Sequence, residues 1–287
     1  VRPGALIVVR GGGDLGTGVA HRLHRAGYEV VVLEAERPTA VRRLVAFGEA
    51  VREGSVIVEG VEARLADLRD VAARALGGPG APAGGPVTGR RGWVPVVVDP
   101  EGRAIGPLRP DAIVDARMAK RNLGTSRTDA PVTIGLGPGF SAGVDVDLVV
   151  ETKRGHALGR VIESGPAAAD TGVPGRVGGA GAERVLRSPA DGAFASSRAI
   201  GDLVEAGDRV GSVDGEPVRA RIAGIVRGLT ADGSPVGRGD KIGDVDPRGD
   251  EVDPRAISDK ARAVGGAVLE ALLSKGVLPR PATSEVG

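Results

Sequence analysis

Five glycines within eight positions, in the stretch ALIVVRGGGDLGTGV (5–19), constrain this fold more than any other feature of the chain. A short β-branched strand at 5–9 leads into them. A helix from Leu15 to Ala26 follows, with Leu15, Val19, Leu23 and Ala26 on one face and His21, His24 and Arg25 on the opposite, solvated one. Gly27 stops it, and EVVVL at 29–33 is a second buried strand. The unit is βαβ, with a right-handed crossover expected. Gly11, Gly13 and Gly16 satisfy G-x-G-x-x-G, and Glu34 supplies an acid at the end of the second strand. In such a turn the first glycine allows the tight bend, the second lets the backbone approach a pyrophosphate, and the third lets helix pack on strand. The helix N-terminus offers N–H groups to phosphate. Glu34 would take a ribose hydroxyl and repel a 2′-phosphate, which favours NAD or another adenosine-containing ligand over NADP. Asp14 sits inside the loop, where it would face an incoming phosphate. It caps the helix, binds a metal, or marks a turn that holds no phosphate. A tight strand–helix turn without a ligand is the plain alternative.

Beyond this unit the spacing predicts a helix over 39–51, at least one strand within 55–67, a helix over 68–76, and strands at 94–99, 111–117 and 131–140. The Gly- and Pro-rich residues 77–92 read as a flexible excursion within that alternation. Alternating strands and helices argue for a doubly wound parallel sheet, a Rossmann-like domain over 1–180. In that architecture ligands bind at the carboxyl edge. The polar stretch DARMAKRNLGTSRTDAP (115–131) would lie there, offering Lys120, Arg121, Asn122, Thr125, Arg127 and Asp129, with Gly137 and Gly139 walling the same crevice. His156 has the right chemistry for a general base near neutral pH. Asp145 and Asp147 alternate as a weak metal hint, and no third ligand accompanies His21 and His24.

After about residue 180 helical periods give way to dense turn signals and an internal repeat. Gly192, Gly207, Asp208, Gly211 and Val213 recur as Gly224, Gly239, Asp240, Gly243 and Val245, each 32 positions on. Two such β-rich repeats cannot each hold a core, so they are expected to interlock as one small module over 181–250. The remainder, 251–287, holds a helix capped by Asp253 and Pro254, with Ile257, Ala261, Val264, Val268 and Leu272 as its apolar stripe and Gly276 as its stop.

Composition narrows the chemistry. Aromatic residues are 2% of the 287, which argues against base-stacking platforms for nucleic acid, and a net charge of +1 shows no specialisation for nucleic acid or anionic membrane. With no cysteine there is no thiolate nucleophile, Cys-ligated metal, or sulfur relay through the chain itself. No signal peptide and no run of 18 apolar residues is visible, so the expectation is a soluble, cytoplasmic protein. Oligomeric state stays open, a homo-oligomer included.

The motifs GGGDLGTGVAHRLHRAG, EAERPTAVRR, DARMAKRNLGT, TDAPVTIGLGPGFSAG, VVETKRGHALGRVI, DTGVPG and GDVDPRG, with ISDKARAVGGAVLEALL, together resemble the accessory protein family of the selenium-dependent molybdenum hydroxylase system, related to the xanthine dehydrogenase accessory factors. That resemblance implies maturation or cofactor handling for a molybdenum hydroxylase, with the hydroxylase or its maturation proteins as partners and a nucleotide or molybdopterin as ligand. The 32-residue repeat is similar to the barrel-sandwich fold of biotinyl and lipoyl carriers. The hairpin that bears the carrier lysine is here VDGEPVRARIAG (213–224), without a lysine, so no biotin or lipoate attachment is expected. An NAD-dependent oxidoreductase of a small substrate and a non-catalytic docking scaffold are the alternatives.

Overall fold

The computed structural model describes residues 4–76 and 92–279, so the excursion expected at 77–92 lies outside the described residues apart from Gly92. The chain divides into two compact units, one formed by the described parts of Val1–Pro38, Ala46–Asp170 and Ile257–Gly287, the other by Thr39–Val45 and Thr171–Ala256.

The first unit is built on β1 (Leu6–Arg10), α1 (Asp14–Arg25), β2 (Glu29–Glu34), α2 (Ala50–Glu53), β3 (Ser55–Val58), β4 (Val61–Leu65), α3 (Leu68–Leu76), β5 (Val94–Val98), α4 (Ile105–Leu108), β6 (Ala112–Asp115), β7 (Val132–Leu136), β8 (Ser141–Ala142), β9 (Leu148–Val150), β10 (Val161–Ile162) and β11 (Gly165–Pro166), and it takes in a long helix near the end of the chain, Asp259–Ser274. Nine strands form one sheet in the order β10-β9-β7-β6-β1-β2-β5-β4-β3. The strands from β4 to β9 in that order are parallel, and the edge strands β3 and β10 are antiparallel to their neighbours. Strands β8 and β11 form a separate two-stranded pair. The central strands LIVVR, EVVVLE and AIVD are almost wholly buried, as continuous apolar runs covered on both faces must be. Leu6, Val8, Val31, Leu33, Val97 and Ile113 point to one face, where Val71 of α3 and Leu108 of α4 join them.

This mixed sheet corrects the expected doubly wound Rossmann-like domain. A doubly wound sheet needs a helix in each crossover, and here the parallel neighbours β6 and β7 are joined by residues 116–131 with no helix at all. That segment has no apolar 3.6-residue period to bury, and it is interrupted by Asn122, Gly124 and Pro131. The helix expected over 39–51 is also absent. Its residues make two 3-10 turns, Arg43–Val45 and Phe47–Glu49, ahead of the four-residue α2.

The expectation that His21 and His24 are solvated is corrected as well: they are 7% and 4% exposed. The late helix lies against α1. A Cβ on Gly18 would sit 2.8 Å from Ala261 Cβ, and one on Gly265 would sit 2.7 Å from the Gly18 carbonyl oxygen. Glycines at these positions let two helix backbones approach closely, and that approach covers the face that periodicity assigned to water. The late helix itself begins at Asp259, with Ser258 Oγ accepting the Ala261 N–H at 3.1 Å, rather than at Asp253.

Asp145 and Asp147, the weak metal hint, are committed to the chain's own donors. Asp145 Oδ2 accepts the Ser141 N–H at 2.8 Å, and Asp147 accepts the Thr133 N–H and hydroxyl, both at 2.9 Å, and Arg127 Nε at 2.9 Å. Burial pushes the Asp147 pKa up, but the bonds from Arg127 and Thr133 outweigh it and hold the carboxyl below its ordinary value. A depressed folded-state pKa stabilises above the unfolded value, about 3.9, and that contribution fades as pH falls through the folded value. Asp147→Asn is therefore expected to lower stability at pH 7, and the gap to the parent protein should close as pH approaches 3 in denaturation measured across pH. A gap that stays constant down to pH 3 would contradict this assignment.

The second unit consists of β12 (Val185–Arg187), β13 (Gly192–Ser196), β14 (Leu203–Val204), β15 (Arg209–Val213), β16 (Glu216–Arg219), β17 (Gly224–Leu229), β18 (Pro235–Val236) and β19 (Lys241–Asp246). They form two four-stranded antiparallel sheets, β12-β19-β17-β14 and β16-β15-β13-β18, around Leu186, Phe194, Val210, Val226, Ile242 and Val245. The 32-residue repeat has a structural counterpart: β13 pairs with β18 and β14 with β17, so each repeat lends a strand to the other. The expected biotinyl/lipoyl-carrier-like barrel-sandwich is nonetheless corrected to two small antiparallel sheets. β12 and β16 lie outside the matched strands and extend each sheet, and residues from Thr39–Val45 pack on β17. The Leu229 N–H donates to Val41 O at 2.8 Å and Arg43 Nε to Leu229 O at 2.9 Å, so the backbone of 39–45 is engaged with a strand rather than in a helix.

The late helix Asp259–Ser274, numbered α5, is the longest among the described residues. Neither it nor any other described helix is long and apolar enough to cross a membrane. This is the part of the expected solubility and cytoplasmic location that the fold reaches.

Candidate functional site

Three loops leave the carboxyl ends of the adjacent parallel strands β1, β6 and β7: residues 11–13, 116–131 and 137–140. Each expected binding residue lies on one of them except Asp14 and Gly16, in the first turn of α1, and Glu34, at the end of β2.

The glycine turn is held by the chain itself. Gly11, at φ +96, accepts no side chain: a Cβ would meet Arg117 Cα at 3.0 Å, so the first and second loops abut where β1 and β6 diverge. Gly16 gives the closest approach, since its Cβ would lie 1.9 Å from the Gly11 carbonyl oxygen. Gly13 is the opposite case. It is the α1 N-cap in an extended conformation, with nothing within 4 Å of a Cβ. Glu34 turns into the loop, where Oε2 accepts the Gly12 N–H and Oε1 the Ala35 N–H, both at 2.7 Å. Thr17 bridges the turn to the next segment, its hydroxyl donating to Gly12 O at 2.9 Å and accepting the Phe47 N–H at 2.8 Å.

The expected nucleotide or molybdopterin ligand of this turn is corrected on that geometry. The Gly12 N–H that a pyrophosphate would use is taken by the Glu34 carboxylate, so Glu34 serves the loop and not a ribose. Asp14, in the first helical turn, adds a second acidic residue where a polyphosphate needs positive charge.

Behind the loops lies a buried polar network that sequence reasoning missed as a unit. Arg10 ends β1 and is the register partner of Asp115, which ends β6. Arg10, Asp115 and Thr125 are 3%, 2% and 2% exposed. Arg10 donates to Thr125 Oγ1 at 2.8 Å and to Glu101 O at 3.1 Å. The Thr125 hydroxyl donates to Asp115 Oδ2 at 2.7 Å, and Arg117 forks onto both Asp115 oxygens, at 2.5 Å to Oδ2 and 3.1 Å to Oδ1. Burial first, and Arg117 second, lower the Arg10 pKa from its ordinary value. The visible signal was that two strands both end in a charged residue after a wholly apolar run.

This network fixes the 116–131 loop from below, and glycines fix it from the sides. Asn122 Oδ1 accepts the Gly124 and Thr125 N–H groups at 2.9 and 2.8 Å, and its amide donates to Thr125 O at 2.8 Å. Asn122 and Thr125 therefore shape the loop instead of presenting donors outward. A Cβ on Gly139, at φ +107, would lie 2.5 Å from Arg121 N, and one on Gly137, at φ +71, would lie 2.3 Å from Thr152 Oγ1. Between these supports Met118 and Lys120 take φ of +55 and +61, a left-handed conformation that side-chain-bearing residues rarely adopt. Among the groups the loop shows to solvent are Lys120, paired with Asp170 at 2.8 Å, and Arg121, which makes no ion pair among the described residues. Arg127 is spent on Asp147, Asp129 accepts the Ser126 N–H, and His156 is exposed beyond β9 and outside this group. No group of three or more potential metal ligands occurs among the described residues.

No family model matches the chain. It is 48% identical over 268 residues to the uncharacterized protein YqeB of Escherichia coli K12, covering 93% of this chain but 47% of that protein. The chain thus spans about half the length of this curated relative. Among solved structures it is similar to an aspartoacylase family protein of Mesorhizobium loti, at 14% identity and TM-score 0.26 over 84% of this chain and 85% of that one. It is also similar to a succinylglutamate desuccinylase/aspartoacylase of Rhodobacter sphaeroides, at 17% identity and TM-score 0.24 over the same shares. An ectoine utilization protein of Ruegeria pomeroyi aligns at 18% identity and TM-score 0.24, again over 84% and 85%. Such TM-scores transfer neither fold nor activity to this chain. The expected membership in the accessory family of the selenium-dependent molybdenum hydroxylase system, and the maturation role that came with it, are corrected: no family model matches the chain, and the curated relative at 48% identity is an uncharacterized protein. Neither the NAD-dependent oxidoreductase nor the docking scaffold is better supported.

Proposed function

We propose that this chain binds a small anionic ligand at the carboxyl edge of its nine-stranded sheet, against the loop that joins β6 to β7. The observation that carries the proposal is the construction of that loop. A connection of this length without secondary structure is uncommon in a compact unit and is usually functional. Here it is pinned by the network of buried Arg10, Asp115 and Thr125 with half-buried Arg117 below, and by Gly11 and Gly139 at its flanks, while two residues with side chains are held at positive φ. Strain of this kind persists only where surrounding structure enforces it, and it collects at ligand sites. The groups it presents, Lys120 and Arg121, are donors without acceptor capacity, so they select for negative charge. The ion pair of Lys120 with Asp170 is solvent-exposed and is cheaply exchanged for a ligand.

The test is calorimetric titration of the protein with a panel of small carboxylates and phosphates, repeated on Lys120→Gln/Arg121→Gln. At least one anion should bind saturably, and the double variant should weaken it about tenfold or more, the loss of charge-assisted hydrogen bonds. Saturable binding that the double variant leaves unchanged would overturn the placement, and a panel with no binder would overturn the function.

A further inference from the structure

A second concave site lies within the first unit, away from the three loops. It is a cavity of about 510 Å³ between α1 from Gly18 onward, the β3–β4 turn and α5 with the residues just before it. The β3–β4 turn precedes β4, which is parallel to β1, and the cavity uses the end of α1 that leads back to β2. It therefore opens at the amino end of the sheet, opposite the carboxyl edge.

Its lining is basic. Arg22 and Arg25 come from α1, Arg262 from α5, and Glu59 from the turn. Among the described lining residues Glu59 is the single carboxylate, and it is already engaged, accepting the Ile257 N–H at 2.8 Å and a bond from Arg262 at 2.6 Å. It is held at φ +44 to do so, which fixes Arg262 on the wall. The guanidinium groups of Arg22 and Arg25 make no ion pair or hydrogen bond among the described residues, and both residues are exposed. The Arg22 stem is located by the helix crossing, because Gly265 brings the α5 backbone to where its own Cβ would lie 3.3 Å from Arg22 Cβ. His21 lines the cavity as a buried ring with Nε2 3.4 Å from the Glu59 carbonyl oxygen. Burial, the largest effect, lowers its pKa, with Glu59 opposing and Arg25 and Arg262 reinforcing the shift, which disfavours the charged form of the ring. Three guanidinium groups against one carboxylate leave a net charge of +2 around the space.

We infer that this cavity is a binding site for a small phosphorylated ligand, a phosphate dianion carried on a compact organic group. A phosphate dianion matches the net charge, and guanidinium forks match its oxygens. The volume falls in the range of small-molecule sites, and Ile257 and Leu269 offer apolar surface for the organic part.

Calorimetric titration in low-chloride buffer tests it, with glycerol 3-phosphate, inorganic phosphate and glycerol as probes, in the parent protein and in Arg22→Gln/Arg25→Gln. Lys120→Gln/Arg121→Gln serves as the background in which the carboxyl-edge site is disabled. In that background glycerol 3-phosphate should still bind saturably and more tightly than inorganic phosphate, glycerol should not bind, and adding Arg22→Gln/Arg25→Gln should weaken binding about tenfold or more. Both arginines are exposed, so the variant is expected to fold, with an unchanged circular dichroism spectrum as the check. No saturable binding in that background, or binding that survives loss of both arginines, would overturn the inference while leaving the carboxyl-edge reading to its own test. Equal affinity for inorganic phosphate would overturn the organic part of the assignment.

Discussion

Gly16→Ala is expected to destabilise the protein by more than about 3 kcal/mol, beyond the usual cost of an added core methyl. The added Cβ would lie 1.9 Å from the Gly11 carbonyl oxygen, and this neighbour is backbone, so no side chain can rotate away. Relief requires α1 to move off β1 or the turn to open. Either movement breaks the Thr17 bond to Gly12 and disturbs the Gly12–Glu34 contact. Gly13→Ala is the matched control. It has φ −73 and open space, so it should cost under about 1 kcal/mol, the ordinary preference for glycine over alanine at an N-cap. Urea denaturation of both variants checks the contrast. A Gly16→Ala variant within about 1 kcal/mol of the parent would show that the turn does not depend on this contact.

Asp115→Ala is the second large effect, expected at about 3–5 kcal/mol. Asp115 accepts from Arg117 and Thr125, and Arg10 shares the same Thr125 hydroxyl. Removing the carboxylate leaves a buried guanidinium without its compensating charge, the costly way to break a buried ionic group. Thr125→Val removes one hydroxyl link and should cost about 1–3 kcal/mol. If the three groups act as one network, the double variant should cost clearly less than the sum of the singles, because Thr125 loses its acceptor when Asp115 is gone. Additive losses would show that the contacts act separately. Asp115→Ala should also weaken anion binding at Lys120 and Arg121, since the loop that carries them would lose its anchor.

Sequence and structure differ most instructively at α1. Its extent, its apolar stripe of Leu15, Val19 and Leu23, and the tight turn before it were all legible, because local sterics and a 3.6-residue period suffice to specify them. The burial of His21 and His24 was not legible. It depends on α5, more than 230 residues later, and on glycines at Gly18 and Gly265 whose meaning appears only when the two helices meet. The cavity walled by Arg22, Arg25 and Arg262 was hidden for the same reason.

The repeat gives a second case. Its offset of 32 relates β13, β14 and β15 to β17, β18 and β19, although the spacing by itself assigned no individual strand. The repeat also held an unread signal. Ala195 and Ser212 of the first copy correspond to Arg227 and Asp244 of the second. Those two residues form an ion pair at 2.5 Å, with Arg184 joining at the other oxygen of the fully buried Asp244. A charge pair replacing small residues at equivalent positions could have marked this cluster.

By itself, then, the sequence determined the elements that depend on near neighbours: the first strand–turn–helix, the buried parallel strands, and the paired β repeats. Tertiary structure alone decided what the glycine turn holds. Glu34 reads equally well as a ribose ligand or as a loop cap, and only the fold shows its carboxylate on the Gly12 N–H. The physical reason is that sequence spacing specifies backbone conformation, whereas the partner of a charged side chain is set by groups brought near it from distant parts of the chain.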